Sequence, residues 1–269
     1  MLPKSLEKSL FTTALVAAQK AGQYILQNSE SNPEYTLKGR ANMVTEIDRT
    51  AEKIIVETLL QNFPEHQVLS EEGSGQAGNS EFKWIIDPLD GTTNFVHGFP
   101  FYAVSIGLEF QGAIILGIVN IPTHNELFYA RKGQGAYLNH CPIKVSSVPR
   151  LSDSLLATGF PYELSAKFNL NFDLFKMLYQ KTQGIRRPGA AAIDLCYVAC
   201  GRFDGFWEFE LNPWDVAAGA LIVQEAGGKL INIDGTPFSI YDRQILATNG
   251  IIESEMLDFI KEFMRKIVH

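Results

Sequence analysis

The chain has 269 residues, 46% of them hydrophobic and 20% charged, an ordinary balance for a folded protein with room for one large domain or two packed closely together. A net charge of −7 with a sequence pI near 5.3 argues against a broad basic face, so no direct nucleic-acid partner is expected. Three cysteines, Cys141, Cys196 and Cys200, make no disulfide framework and point to a reducing, cytoplasmic setting, and no apolar run approaches the ~20 residues of a membrane span.

The first 26 residues look faintly like a signal peptide, but Glu7 and Lys8 interrupt the apolar run. Leu6, Leu10, Ala14, Ala17, Ala21 and Ile25 instead follow helical spacing, which predicts an amphipathic helix. A polar connection follows over 28–42. A second helix runs from Thr45 to Phe63, with Ile47, Ala51, Ile54 and Thr58 on one side, and Pro64 stops it. Thr45 is its candidate N-cap and Asp48 completes the capping pattern. "HQVLSEE" reads as a strand ending in acids, "GSGQAGNSE" as a mobile loop, and "FKWIID" as a strand ending at Pro88. "AVSIGLEF" and "GAIILGIVNI" form a hairpin around Gln111-Gly112, and "ELFYARKGQGAYLN" continues the β pattern. A boundary near 148 divides the chain into an N-terminal half, 1–147, and a C-terminal half, 148–269. Beyond it come a strand at "LLATGF", helices at "NLNFDLFKMLYQKT" and "GAAAIDLCYVACG", and a strand at "DGFWEFE". A helix in "PWDVAAGALIVQEAGG", with Pro213 before its start and Gly227-Gly228 after its end, a strand at "KLINIDGTPF" and a last amphipathic helix complete the order. Arg186-Arg187 reads as a solvated pair, and Cys196 and Cys200 as packing thiols. Neither a Rossmann nor a Walker A loop is present.

The chemistry gathers in "WIIDPLDGTTNFVHGFP". Asp87 and Asp90 flank a Pro-Leu turn. Either one alone is as readily explained by turn or cap chemistry as by a functional role. Together, with the Leu89 carbonyl between them, they offer the oxygen ligands that hard cations such as Mg²⁺ prefer. The "GTTN" that follows opens a helix whose free N–H groups suit an anion, and Thr92 adds a hydroxyl. Metal ligands beside an anion hole suggest metal-assisted chemistry on a phosphate. Elsewhere the acids have plain readings of their own. Glu71 and Glu72 pass for surface acids, Asp215 for a helix cap, Asp48 for half of a capping box, and Glu208 for an outward strand residue.

Taken together these segments resemble the inositol monophosphatase family, of the bacterial inositol-1-monophosphatase kind, within the Mg²⁺-dependent, lithium-sensitive phosphatases. "WIIDPLDGTTNFVHGFPFYAVSIG" carries the first family signature and "PWDVAAGALIVQEAGG" the second, with "NMVTEID", "SEEG", "RKGQGAYLN" and "GRFDGFWE" in the expected order, so the likeness covers nearly the whole chain. It implies an α+β fold, a layered α-β-α-β-α sandwich of the inositol monophosphatase and fructose-1,6-bisphosphatase type, with a largely antiparallel first sheet and a mixed second one. It implies two to three Mg²⁺ per site, held by Glu71, Asp87, the Leu89 carbonyl, Asp90 and Asp215, with Asp87 bridging two of them and the third beside Glu71. Asp48, Thr92 and Glu71 would be catalytic, Asp48 and Thr92 pairing to orient the attacking water. Gly91 and Thr92 would bind phosphate oxygens. Asp90, Ala191 and Glu208, with Gly189, would contact the sugar-alcohol side, and Lys38 matches a loop lysine near the metals. Asn42 departs from the pattern, standing where many relatives carry Asp, which leaves open the charge of the loop behind the metals.

The implied activity is hydrolysis of myo-inositol-1-phosphate and related polyol monophosphates by a metal-activated water, in a protein that by resemblance is a homodimer. The same metal ligands would equally serve fructose-1,6-bisphosphate, histidinol phosphate or 3′-phosphoadenosine 5′-phosphate. A regulatory binding protein on the same fold is the reading from a different class.

Overall fold

The structure, a computed structural model, describes residues 2–30, 34–40 and 42–267, without the side chains of the last two. Helix α1, Lys4–Gln27, buries the stripe that the spacing predicts: Leu10, Ala14, Ala17, Ala21 and Ile25 are inside and Leu6 is half-buried. The polar connection over 28–42 lies partly outside the described residues, at 31–33 and 41. What is described there differs from a plain connection. Strand β1, Tyr35–Leu37, pairs antiparallel with β2, Met43–Thr45. Helix α2, Glu46–Asn62, starts on the expected capping box: Thr45 accepts from the Ile47 and Asp48 N–H groups, and the Asp48 carboxylate accepts from Thr45 N–H. Its inner face runs through Ile47, Ala51, Ile55 and Leu59. Ile54, expected on that face, is only half-buried, because the i, i+4 row from Ala51 passes through Ile55.

Strand β3, Gln67–Ser70, runs parallel to β4, Phe82–Asp90. The strand does not end at Pro88. It continues to Asp90 through a register shift against its neighbour between Asp87 and Asp90, and the missing N–H of Pro88 falls where the ladder is already interrupted. Short helix α3, Thr92–Val96, follows, then β5, Ala103–Phe110, β6, Ala113–Ile121, β7, Glu126–Arg131, β8, Ala136–Leu138, and β9, Cys141–Pro142. Strands β3 to β9 lie in that order in one sheet, antiparallel after the first pair.

Then come β10, Leu155–Thr158, α4, Ala166–Tyr179, β11, Gly184–Arg186, α5, Ala191–Ala199, β12, Gly205–Phe209, α6, Pro213–Glu225, β13, Lys229–Ile231, β14, Gln244–Thr248, and α7, Glu253–Ile267. The second sheet has the order β11-β10-β12-β14-β13 and is mixed, with β10 parallel to both its neighbours and β14 antiparallel to both of its own.

Alternation along the strands builds the layers. On β4, Trp84 and Ile86 pack among the apolar residues of α1 and α2, while Ile85 packs toward α5 and α6. On β12, Phe206 faces α5 and α6, while Trp207 faces α4 and α7. The result is helix, sheet, helix, sheet, helix, the α-β-α-β-α sandwich. Close backbone packing lies under α6. Gly107 and Gly117 are cross-strand partners on β5 and β6. A Cβ on Gly107 would meet the Ala217 Cβ at 2.9 Å, and one on Gly117 would meet the Ala218 carbonyl oxygen at 2.6 Å. Two bare backbones let α6 settle on the sheet and bring Asp215, in its first turn, to the end of β4.

Candidate active site

Four segments end at one place. Glu71 follows β3; Asp87, Leu89 and Asp90 close β4; Gly91 and Thr92 open α3; and Asp215 opens α6. With Lys38 and Glu208 they line one open cleft of about 270 Å³. Gly189 and Ala191 line a smaller adjoining cavity of about 70 Å³, where Asp90, Glu208 and Asp215 also appear. Asp48 is not on the wall but behind it, 1% exposed. It reaches the cleft through Thr92, whose Oγ1 donates to Asp48 Oδ1 at 2.7 Å and also lies 2.9 Å from the Leu89 carbonyl oxygen. Asp48 Oδ2 is saturated by Thr45, which donates from N at 2.8 Å and from Oγ1 at 2.6 Å. The capping box and the site therefore share one carboxylate, one oxygen each.

The cap reading of Asp215 holds alongside its place on the cleft wall, since its Oδ2 accepts from Asn212 N–H at 2.7 Å. Asp90 Oδ2 accepts from the Ala192 N–H at the start of α5, also at 2.7 Å. In each case backbone holds one carboxylate oxygen in place while the residue lines the cleft. Gly91 stands at φ 91°, and a Cβ there would meet the Phe101 carbonyl oxygen at 2.8 Å, so the turn into α3 requires glycine.

The electrostatics are those of negative charge short of a cation. Burial first, then Asp215, pushes the Glu71 carboxyl up to about 8, against the pull of Lys38. Burial, with Glu71, Asp90 and Asp215 adding, holds Asp87 well above the usual carboxylate range. Burial and Asp215 push Asp90 up to about 8, and burial raises Asp215 to about 6 against its own hydrogen bonds. Burial also raises Asp48. Lys38 reaches Glu72 at 2.6 Å and Glu71 at 3.6 Å, which neutralises one end only. Among the described residues no three acids close into a finished cage around a point. An all-oxygen donor set, mutually repelling and partly removed from water, nevertheless suits a hard divalent ion, which would relieve each of these shifts at once.

The sequence reading missed several residues of the site. Glu52, on the buried face of α2 and 0% exposed, accepts from the Glu72 and Ser74 N–H groups, both at 2.8 Å, and so pins the loop expected to be mobile, directly behind Glu71. Its signal was a charge on an apolar helical stripe. Asn94 ties the two sides of the pocket, donating from Nδ2 to the Phe101 carbonyl at 2.8 Å and to the Pro188 carbonyl at 2.9 Å. The Arg186-Arg187 pair divides. Arg186 ends an edge strand, whereas Arg187 lines the smaller cavity and offsets the charge of Glu208. Glu208 faces inward, opposite to the outward strand reading, and burial with Asp215 pushes it up to about 8. Its carboxylate occupies the space that a Cβ on Gly159 would need. Cys196 is buried and Cys200 half-buried, and both are free, as packing thiols should be.

The sequence matches the model of the Inositol monophosphatase family over residues 7–267. It is 50% identical over 222 residues to an inositol-1-monophosphatase of Synechocystis sp., covering 81% of this chain and 77% of that one. The fold superposes with a TM-score of 0.90 on the extragenic suppressor protein suhB of Bartonella henselae, at 40% identity over 94% of this chain and 98% of that one. It superposes at 0.87 on an inositol monophosphatase of Anabaena (Nostoc) sp., at 40% identity over 96% and 97% of the two chains.

Proposed function

Because the chain belongs to the inositol monophosphatase family and is a phosphatase, we propose that it is a Mg²⁺-dependent phosphomonoesterase whose preferred substrates are myo-inositol-1-phosphate and related polyol monophosphates. The observation that carries this reading is the meeting of Glu71, Asp87, Asp90 and Asp215 in one cleft, with the Glu208 carboxylate on the adjoining wall. Glu71, Asp87, the Leu89 carbonyl, Asp90 and Asp215 would hold the two to three ions. Bound there, Mg²⁺ supplies charge for the phosphate oxygens and lowers the pKa of an attacking water.

The rest is the work of the side chains. Thr92 Oγ1, with its proton directed to Asp48 Oδ1, presents a lone pair to a water in the cleft and orients it. Asp48 Oδ1 is the atom that takes up proton density through Thr92, its other oxygen being occupied by Thr45. The N–H groups at Gly91 and Thr92 face phosphate oxygens at the opening turn of α3. Asp90, Ala191 and Glu208 orient the polyol, and Lys38 balances Glu71. Glu208 accepts from ring hydroxyls and repels a second phosphate, which disfavours bisphosphates. A homodimer and a cytoplasmic location accompany this reading, and no helix among the described residues is long and apolar enough to cross a membrane.

The deciding experiment is phosphate release with Mg²⁺ across inositol-1-phosphate, fructose-1,6-bisphosphate, histidinol phosphate and 3′-phosphoadenosine 5′-phosphate. Inositol-1-phosphate should rank first, with no turnover after complete chelation. A large preference for either bisphosphate, or activity without divalent ions, defeats the reading.

A further inference from the structure

One carboxyl beside the cleft has no place in this chemistry. Asp194 lies in the first turn of α5, is 1% exposed, and lines the cavity of about 70 Å³ together with Arg187, Ala191 and Glu208. Its Oδ1 has no hydrogen-bond partner among the described residues. A negative charge near a helix N-terminus is the plain explanation. It fits poorly, because the Ala192 N–H at that terminus is already bonded to Asp90, and no hydrogen bond from the turn reaches Asp194 Oδ1. A buried carboxyl without a partner destabilises a fold more than a helix dipole stabilises it. Such a group persists where something else completes its bonding.

We propose that Asp194 and Glu208 together form a hydroxyl-binding subsite that reads an alcohol group of the substrate on the side away from the phosphate. The subsite rests on the polyol phosphatase reading and adds to it a second recognition residue. Burial first, then Glu208 and Asp90, keeps the Asp194 carboxyl well above the usual range, with Arg187 only partly offsetting them. Its unpartnered Oδ1 is an open acceptor on the wall of this cavity. Glu208 on the facing wall is pushed up in the same way. An alcohol, which both donates and accepts, satisfies the pair. A phosphate meets two acids, and an apolar group leaves both unpartnered. The cavity opens beside Asp90 and Ala191, so a polyol held there extends an arm into it.

The test compares wild type, Asp194→Ala and Asp194→Asn on two substrates: whichever polyol phosphate wild type turns over best, and phenyl phosphate, which has no free hydroxyl. Asp194→Ala should raise KM for the polyol phosphate about 10-fold or more, with kcat and the phenyl phosphate kinetics little changed. Asp194→Asn, which keeps an acceptor oxygen in place, should recover most of the loss. The melting temperature of Asp194→Ala should hold or rise. A polyol preference that survives Asp194→Ala intact overturns the subsite alone. Equal losses on both substrates with a lowered melting temperature also overturn it, since they mark a structural residue. Wild type showing no preference for any polyol over phenyl phosphate defeats the polyol reading itself, and the subsite with it.

Discussion

Thr92 Oγ1 lies 2.7 Å from Asp48 Oδ1, joining residues 44 apart in sequence across the wall of the cleft. Asp48 belongs to the cap of α2 and Thr92 to the first turn of α3, so one hydrogen bond ties two helix starts together. Thr92→Ala removes the hydroxyl that, in the proposed mechanism, links Asp48 Oδ1 to the attacking water. We expect kcat to fall by about 10²–10⁴-fold with KM little changed, and Thr92→Ser to retain much of the rate. Steady-state kinetics at saturating Mg²⁺ decide it. A Thr92→Ala enzyme within a few-fold of wild type places the proton path elsewhere.

Metal and pH should be linked through the acids of the cleft. Glu71 and Asp90 sit near 8 and Asp215 near 6, all above their ordinary values. A raised folded-state pKa contributes stability that is full below the unfolded pKa near 4 and is lost as pH rises through 6 to 8. Metal-free protein should therefore melt at lower temperature at pH 8.5 than at pH 6.5, and the gain from Mg²⁺ should grow over the same window. His66, stacked between Phe63 and Phe82, is held down to about 4 by burial and works with the opposite sign, losing stability as pH falls from 6.5 toward 4. Measurements above pH 6.5 avoid it. Asp215→Asn should flatten the metal-free slope and lose most activity. If the Mg²⁺ increment in melting temperature is constant from pH 6.5 to 8.5, these acids do not hold the ion.

Gly159→Ala should act on Glu208 without touching a metal ligand. The added methyl needs the space of the Glu208 carboxylate, the end of a flexible side chain, so the fold survives and the carboxylate moves. We expect kcat/KM for inositol-1-phosphate to drop about 10- to 100-fold, with phenyl phosphate nearly unaffected. Parallel losses on both substrates would contradict a role confined to the polyol wall.

Glu52→Ala leaves the Glu72 and Ser74 N–H groups without their acceptor. Each orphaned donor costs about 1–3 kcal/mol unless water replaces the bond. Glu71 begins the same loop, so a lower denaturation midpoint should come with weaker Mg²⁺ activation. Unchanged Mg²⁺ dependence in a destabilised variant would separate the loop from the site.

The parts of this molecule legible in its sequence are those whose cause is local. The box at Thr45 and Asp48, the proline start of α6 and the Gln111-Gly112 hairpin each follow from a few adjacent residues, and the structure has them. Strands β1, β2, β9, β11 and β14 escape the sequence reading, and three of them show why. Tyr35–Leu37 is exposed throughout, Gly184–Arg186 is three residues at a sheet edge, and Gln244–Thr248 is buried without alternation, so none shows a period of two. Pro88 looked like a strand end because interruption of the ladder by a bulge is a property of the partner strand. Asp194 escapes because its surroundings are set by what the fold brings beside it, whereas Glu52 carries a local signal, a charge on an apolar helical stripe. Glu208 escaped half-way, found by resemblance but given the wrong face by its surroundings in sequence.

The glycine pair under α6 has a mechanical consequence. Gly107 and Gly117 line neither cavity, yet they bear on how deep the helix carrying Asp215 can sit. Glu71, Asp87 and Asp90 come from one sheet's edge of the cleft, and Asp215 arrives from the helix that rides on that sheet. One methyl group at Gly117 would act as a shim. It would lift α6 from the Ala218 contact and withdraw a single carboxylate from the rest, leaving every ligand chemically intact. If the cleft holds an ion as proposed, its affinity is governed by a thickness as well as by charge, and a Gly117→Ala change outside the cleft should weaken it.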